Sequence, residues 1–89
     1  MAWTVEIADT AERQLHKLDP QIRRRILDWL HDRIEGCKNP RHFGEALKGG
    51  HAGLWRYRVG DYRILCDIRD ERLVVLALAV GHRREVYRR

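Results

Sequence analysis

The N-terminal residues Trp3-Thr-Val-Glu-Ile7 alternate apolar and polar, which predicts a short strand with Trp3, Val5 and Ile7 inward. Helical spacing follows. Ala11, Leu15 and Leu18 recur at intervals of three and four, predicting a first helix from Ala11 to about Leu18, with Asp9 or Thr10 as its cap. Asp19-Pro20 then supplies a capping carboxylate followed by a proline suited to the first helical position. The second helix is expected from Pro20 to about Glu35, with Ile22, Ile26, Trp29, Leu30 and Ile34 on one stripe and Gly36 as its stop. Arg23, Arg24 and Arg25 fall around its other side as a solvated face, with Arg24 and Asp28 spaced to pair locally. From Asn39-Pro40 to Gly50 the pattern lapses into a connector, with room for one helical turn around Phe43–Leu47.

The period changes to two in Leu54-Trp-Arg-Tyr-Arg-Val-Gly-Asp-Tyr-Arg-Ile-Leu-Cys-Asp-Ile68. The Gly60-Asp61 pair between two alternating runs is a two-residue hairpin signal. Trp55, Tyr57 and Val59 share a face with Tyr62, Ile64, Cys66 and Ile68, an apolar wall suited to a core. Arg56 and Arg58 take the opposite face with Arg63. After the turn at Asp70-Glu71-Arg72, the unbroken apolar run Leu73–Val80 predicts a strand covered on both faces, hence a central one. Gly81 and a basic tail with a single helical turn, His82 to Arg89, end the chain.

The expected fold is therefore α+β in two layers: an N-terminal strand, two antiparallel helices, then three antiparallel strands that complete a four-stranded sheet, and a short basic C-terminal tail. No linker or internal repeat divides residues 1–89, so a single domain is expected. With the apolar hairpin wall against the helices, Arg56, Arg58 and Arg63 are left together on the open side. Like charges side by side on a sheet repel, so the arrangement costs stability unless an anion sits there.

Charge sharpens the picture. Residues 1–47 hold eight Lys/Arg and eight Asp/Glu, whereas residues 48–89 hold ten and five, so the whole excess of +5 lies in the sheet half. That segregation favours an anionic partner on the sheet side over a uniformly basic surface. There is no apolar run of about 18 residues to span a membrane, and the N-terminus does not resemble a signal peptide. Cys37 and Cys66 have 28 residues between them and no Cys-x-x-Cys pattern; Cys66 on the apolar face reads as a buried free thiol, and the chain as cytoplasmic.

Several chemistries are missing from the pattern. The histidines at 16, 31, 42, 51 and 82 are scattered without metal-ligand spacing, the acids form no two-metal cluster, and no Gly-rich phosphate loop precedes a helix. No metal or cofactor is expected. What remains is a set of phosphate-binding and proton-handling groups around the hairpin. Guanidinium groups stay charged and bind two phosphate oxygens at once. Arg83 and Tyr87 come near Arg56, Arg58 and Arg63 if the tail folds over the open face; Lys48 precedes the hairpin and His82 adjoins Arg83. Tyr87 offers a stacking ring or a proton-transfer hydroxyl. The competing reading makes His82 a surface residue or protein contact, Lys48 a loop charge, and Tyr57, Tyr62 and Trp55 core packing. Together these groups suit binding, and cleaving, a single-stranded RNA backbone.

The blocks Leu47-Lys-Gly49, Gly53-Leu-Trp-Arg-Tyr-Arg-Val-Gly-Asp-Tyr-Arg-Ile-Leu-Cys66 and Val80-Gly-His-Arg-Arg-Glu-Val-Tyr-Arg88 resemble the RelE-like toxins of bacterial toxin–antitoxin systems, over essentially the whole chain. The resemblance implies a ribosome-dependent mRNA endonuclease acting on the A-site codon and held inactive by a cognate antitoxin, with operator DNA bound only through that antitoxin. Arg56 and Arg58 match two basic positions on the first hairpin strand, Arg63 the arginine after the turn, and Arg83 and Tyr87 the arginine and tyrosine near the C-terminus. At 56 and 58 the best-understood active member has lysines; arginine almost never releases a proton, so a base at those positions has no counterpart here, which leaves Tyr87 or His82 for that role.

The mechanism this implies is attack by a 2′-hydroxyl on the adjacent phosphate, giving a 2′,3′-cyclic phosphate and a 5′-hydroxyl without a metal. Arg63, Arg83 and Tyr87 are the expected catalytic residues, the two arginines on the phosphoryl oxygens and Tyr87 on the nucleophile. Lys48, Arg56, Arg58 and His82 are the expected RNA-binding residues. The alternative within the same superfamily is a ParE-like toxin that inhibits DNA gyrase by binding and cleaves nothing; a third is an antitoxin-bound module that has lost activity.

Overall fold

The computed structural model describes residues 2–85. Their order is β1 (Thr4–Ile7), α1 (Asp9–His16), α2 (Pro20–Trp29), β2 (Glu45–Ala46), β3 (Trp55–Val59), β4 (Tyr62–Arg69) and β5 (Val74–His82). Both helices lie on one face of the sheet, as expected for an α+β two-layer domain. The sheet has five strands, not four, in the order β1-β5-β4-β3-β2, and it is mixed because β1 runs parallel to β5. The additional strand is β2, in the segment expected to hold a helical turn. Gly44 at φ 77° interrupts any helix there, and Trp55 Nε1 donates to Phe43 O at 2.7 Å, drawing the connector against β3.

The helices start and stop close to their signals. Asp19 caps α2 by accepting from Gln21 N at 2.8 Å, and Gly36 at φ 79° lies just beyond the helical segment. α1 begins two residues earlier than expected, at Asp9, with Ala8 as its cap. The second helix is not uniform: after Trp29 it widens into a π turn, Leu30–Ile34, closed by Glu35 N donating to Leu30 O at 2.9 Å. Residues four apart nearly eclipse in a π turn, and here both Leu30 and Ile34 are buried. The turn also delivers Glu35 to the sheet edge, where its Oε1 accepts from Val5 N at 2.8 Å and blunts the outer strand.

The core joins Trp3, Ala11, Leu15, Ile26, Leu30 and Ile34 to Tyr57, Val59, Ile64, Cys66, Val75, Ala77 and Val80. The Leu73–Val80 run is buried in part on both faces, with Val74 and Ala79 buried on the face away from the helices, and a break in the alternation adds to its continuity. A bulge opposite Leu65/Cys66 leaves Leu78 unpaired and shifts the alternation, so Val75 and Ala77 point inward before it and Val80 after it. Two alternations out of phase thus look continuous. β5 lies second from an edge, between β1 and β4. It also runs two residues past the apolar run, through His82, and Arg83–Glu85 form a turn; the rest of the expected tail helix falls outside the described residues. No described helix is long and apolar enough to cross a membrane.

Candidate functional site

The hairpin forms as its sequence demands. Val59 pairs with Tyr62 across Gly60-Asp61, and Gly60 adopts φ 60° as the first residue of a tight hairpin turn requires. The register sets Arg58 directly opposite Arg63 and Arg56 opposite Leu65, all on the face away from the helices. Gly81 of β5 lies on the other side of Arg63, so no side chain crowds it there. Leu65, Ala79 and Leu47 make a small apolar patch on the same face. The open face is thus an apolar strip flanked by guanidinium groups.

The anion that the arginine cluster wants is supplied by the chain itself. Glu45, across from Arg56 in the β2–β3 pair, forms an ion pair with its guanidinium. Arg63 is turned along the strand end, with Nη1 donating to Gly60 O at 3.1 Å and to Tyr62 O at 3.0 Å. Arg58 is exposed and enters none of the described ion pairs. A cleft of about 440 Å³ at the β3 edge is lined by Trp29, Phe43, Gly44, Glu45 and Arg58. Glu45 is the residue that sequence reading missed. Its signal is register alone: a carboxylate on a two-residue strand beside the arginine strand, too short a stretch to show alternation.

The segment carrying Glu45 is fixed from beneath. Tyr57, fully buried, donates its hydroxyl to Pro40 O at 2.7 Å and packs against Trp29 with ring centroids 5.2 Å apart. Burial pushes the Tyr57 phenol well above its ordinary range, and the Cys66 thiol likewise, so both are neutral. Arg41 grips Asp70 through two bonds of 2.8 Å, which raises the guanidinium and lowers the carboxyl from their usual values. Cys37 and Cys66 are free thiols.

The remaining predicted residues divide. Arg83 is brought to the hairpin: its backbone N–H donates to Asp61 O at 2.8 Å. Lys48 is exposed beside Leu47, at the rim of the apolar patch. His82 is not brought to the arginines. It pairs with Tyr62, whose ring it meets edge-on at 5.7 Å, and lines a helix-side cleft with Gln14, Lys17, Leu18 and Glu85. Tyr87 lies outside the described residues. Trp55, Tyr57 and Tyr62 take the core side, Tyr57 completely. The expected Arg24–Asp28 pairing is not formed; Arg23, Arg24, Arg25 and Asp28 enter none of the described ion pairs.

A small sheet backed by two helices, with cations gathered on its open face, can be set beside known proteins. The family described as "ParE toxin of type II toxin-antitoxin system, parDE" matches residues 5–87. The chain is a toxin of the RelE/ParE family. It is 37% identical to Toxin RelG of Mycobacterium tuberculosis over 89 residues, all of both chains. Among solved structures, the toxin–antitoxin complex RelBE2 of the same organism matches at 35% identity and a TM-score of 0.81, covering 92% of this chain and 99% of the other. The RelE–RelB complex of Pyrococcus horikoshii matches at 28% identity and 0.73, covering 97% and 100%. The isolated RelE toxin of Escherichia coli, 20% identical with a TM-score of 0.69, covers 91% of this chain and 84% of its own and shares the fold.

Proposed function

We propose that this RelE/ParE-family toxin is an endoribonuclease that cleaves mRNA in the ribosomal A site, with the open sheet face as its active surface. The observation that carries the reading is the register of Arg56, Arg58 and Arg63 on one uncovered face, with the Glu45 carboxylate among them. Arg56, Arg58 and Lys48 position the backbone. Arg63 on β4 and Arg83 in the turn after β5, both close to the hairpin turn, stabilise the charge that develops on the phosphoryl oxygens. The 2′-hydroxyl oxygen attacks phosphorus, the P–O5′ bond breaks, and a 2′,3′-cyclic phosphate and a 5′-hydroxyl result.

A proton must leave the 2′-hydroxyl and another must reach O5′. Guanidinium groups do neither at neutral pH. Glu45 is the acceptor we assign, because it combines a carboxylate with a place beside Arg56 and on the Arg58 cleft. Tyr87 orients the nucleophile or serves the leaving oxygen. His82, on the helix side, has no part in this scheme. An RNA phosphate reaching Arg56 displaces Glu45 from its ion pair, which leaves the carboxylate unpaired as substrate binds.

The partners follow from the same reading. Two of the structures named above, RelBE2 of Mycobacterium tuberculosis and RelE–RelB of Pyrococcus horikoshii, are toxin–antitoxin complexes, and we assign this toxin a cognate antitoxin, a segment that orders as it covers the cationic surface. Operator DNA is bound through the antitoxin. The second reading, a ParE-like inhibitor of gyrase, is kept because the matching family is described as a ParE toxin. One parallel experiment separates them: purified toxin is given to translating ribosomes and the mRNA cuts mapped, while a supercoiling assay measures gyrase. A-site cuts with gyrase unaffected support the nuclease; gyrase inhibition without cuts reverses the ranking.

A further inference from the structure

The guanidinium of Arg25 lies over the hairpin turn. A Cβ placed on Gly60 would meet Arg25 Nη1 at 3.0 Å, Cζ at 3.3 Å and Nη2 at 3.4 Å, so the whole planar group rests on this glycine. Any other residue at 60 would displace it. The arginine is therefore placed by packing rather than by charge: it enters none of the described ion pairs, and neither does the adjacent Asp61. On the same turn, Arg63 donates to Gly60 O and Arg83 N donates to Asp61 O. The guanidinium groups of Arg25 from α2 and Arg63 from β4 thus meet on this turn, which also holds the backbone of Arg83 just after β5. Arg58 continues the series, facing Arg63 on the open side and lining the cleft at the β3 edge together with Trp29, one helical turn beyond Arg25.

We propose that the RNA-binding surface does not stop at the sheet face but passes over the Gly60-Asp61 turn onto α2, where Arg25 holds a backbone phosphate outside the cleaved codon. This rests on the endonuclease reading and extends it. An exposed cation without a carboxylate partner, held flat by a glycine, is ready to bind two phosphate oxygens without first giving up another partner. The Arg63 and Arg83 positions beside it belong to the chemistry; Arg25 belongs to placement and acts through RNA position.

The test uses purified toxin and programmed ribosomes, following the single-turnover cleavage rate against toxin concentration at several salt concentrations. Arg25→Ala is expected to raise the half-saturating concentration about three- to tenfold, with the maximal rate unchanged. It should also reduce the slope of log affinity against log salt by about 0.7 to 0.9, the share of one phosphate contact. Arg25→Lys, which keeps the charge, should restore most of that slope. An mRNA ending at the A-site codon narrows the source: a loss that vanishes assigns the phosphate to message beyond the codon, and a loss that persists assigns it to ribosomal RNA or to message before the codon. Wild-type affinity and slope in Arg25→Ala would overturn the proposal. So would a loss with an unchanged slope that lysine does not rescue, because that is the mark of packing on Gly60. Absence of cleavage by the wild-type toxin would instead bring down the endonuclease reading, and this inference with it.

Discussion

Replacing Glu45 by glutamine separates two roles that the structure gives one carboxylate. Glutamine keeps the shape and an oxygen facing Arg56, but it neither neutralises the guanidinium nor accepts a proton. The ion pair is half at the surface, with the Arg56 side chain 23% exposed and that of Glu45 54% exposed. Such a pair is worth about 0.5–1 kcal/mol after solvent screening. RNA must displace it to use Arg56, so its removal should tighten half-saturation by about two- to fivefold. Loss of a positioned general base costs about 10²–10⁴ in rate. Glu45→Gln should therefore show a maximal cleavage rate lower by that factor together with a lower half-saturating concentration, while its melting temperature changes by only a few degrees. Single-turnover cleavage on programmed ribosomes reads both parameters at once. An unchanged maximal rate would refute the assignment of Glu45 as proton acceptor and leave it as a counterion. A weakened half-saturation would refute the displacement argument.

Three further outcomes are expected. Tyr57→Phe leaves the buried Pro40 carbonyl without its 2.7 Å donor, which should cost about 1–3 kcal/mol, read as a melting temperature lower by about 4–8 °C per kcal/mol. Because burial raises the folded-state Tyr57 phenol above its unfolded value, that stability is fully present below about pH 10 and is lost as pH rises further; Tyr57→Phe should flatten this alkaline loss in pH-dependent melts. Gly44→Ala would put a Cβ 2.2 Å from Arg56 O at φ 77°, so β2 must leave β3; a cost of about 3 kcal/mol or more is expected in denaturant unfolding, with cleavage falling because Glu45 moves too. Arg63→Ala and Arg83→Ala should each lower the maximal cleavage rate by about 10²–10³ and abolish growth inhibition, while circular dichroism shows the fold intact.

Much of the architecture was readable from periodicity, because long amphipathic stripes and a Gly-Asp turn leave few alternatives. Ile22, Ile26 and Trp29 mark one face of α2, and Trp55, Tyr57 and Val59 one face of β3, whatever the neighbouring elements do. The features that escaped depend on pairing. β2 spans two residues, fewer than an alternation needs to be seen, and it exists because Gly44, Trp55 and Tyr57 hold the connector on β3. The β5 bulge joined two alternations into one apolar run and so hid the break between them. At the site, the arginine face followed from residue parity, and so did its need for an anion. That the anion is Glu45, eleven residues upstream, required the register. Parity also separates His82 from Arg63: the pairing with Tyr62 commits it to the helix side. Arg25 read as one of three solvated helix charges, and only the crossing of α2 over Gly60 distinguishes it.

Attack by a 2′-hydroxyl of the A-site codon, promoted by the arginine face, requires that hydroxyl at the cut. The decisive measurement is single-turnover incubation of the toxin with ribosomes programmed with an mRNA carrying one 2′-deoxy nucleotide at the mapped cut, followed by end-group analysis of the all-ribose control. A 2′,3′-cyclic phosphate and a 5′-hydroxyl are expected from the control, with no cut at the deoxy position. Cleavage that persists at the deoxy nucleotide, or a 5′-phosphate on the control fragment, would contradict attack by the 2′-hydroxyl.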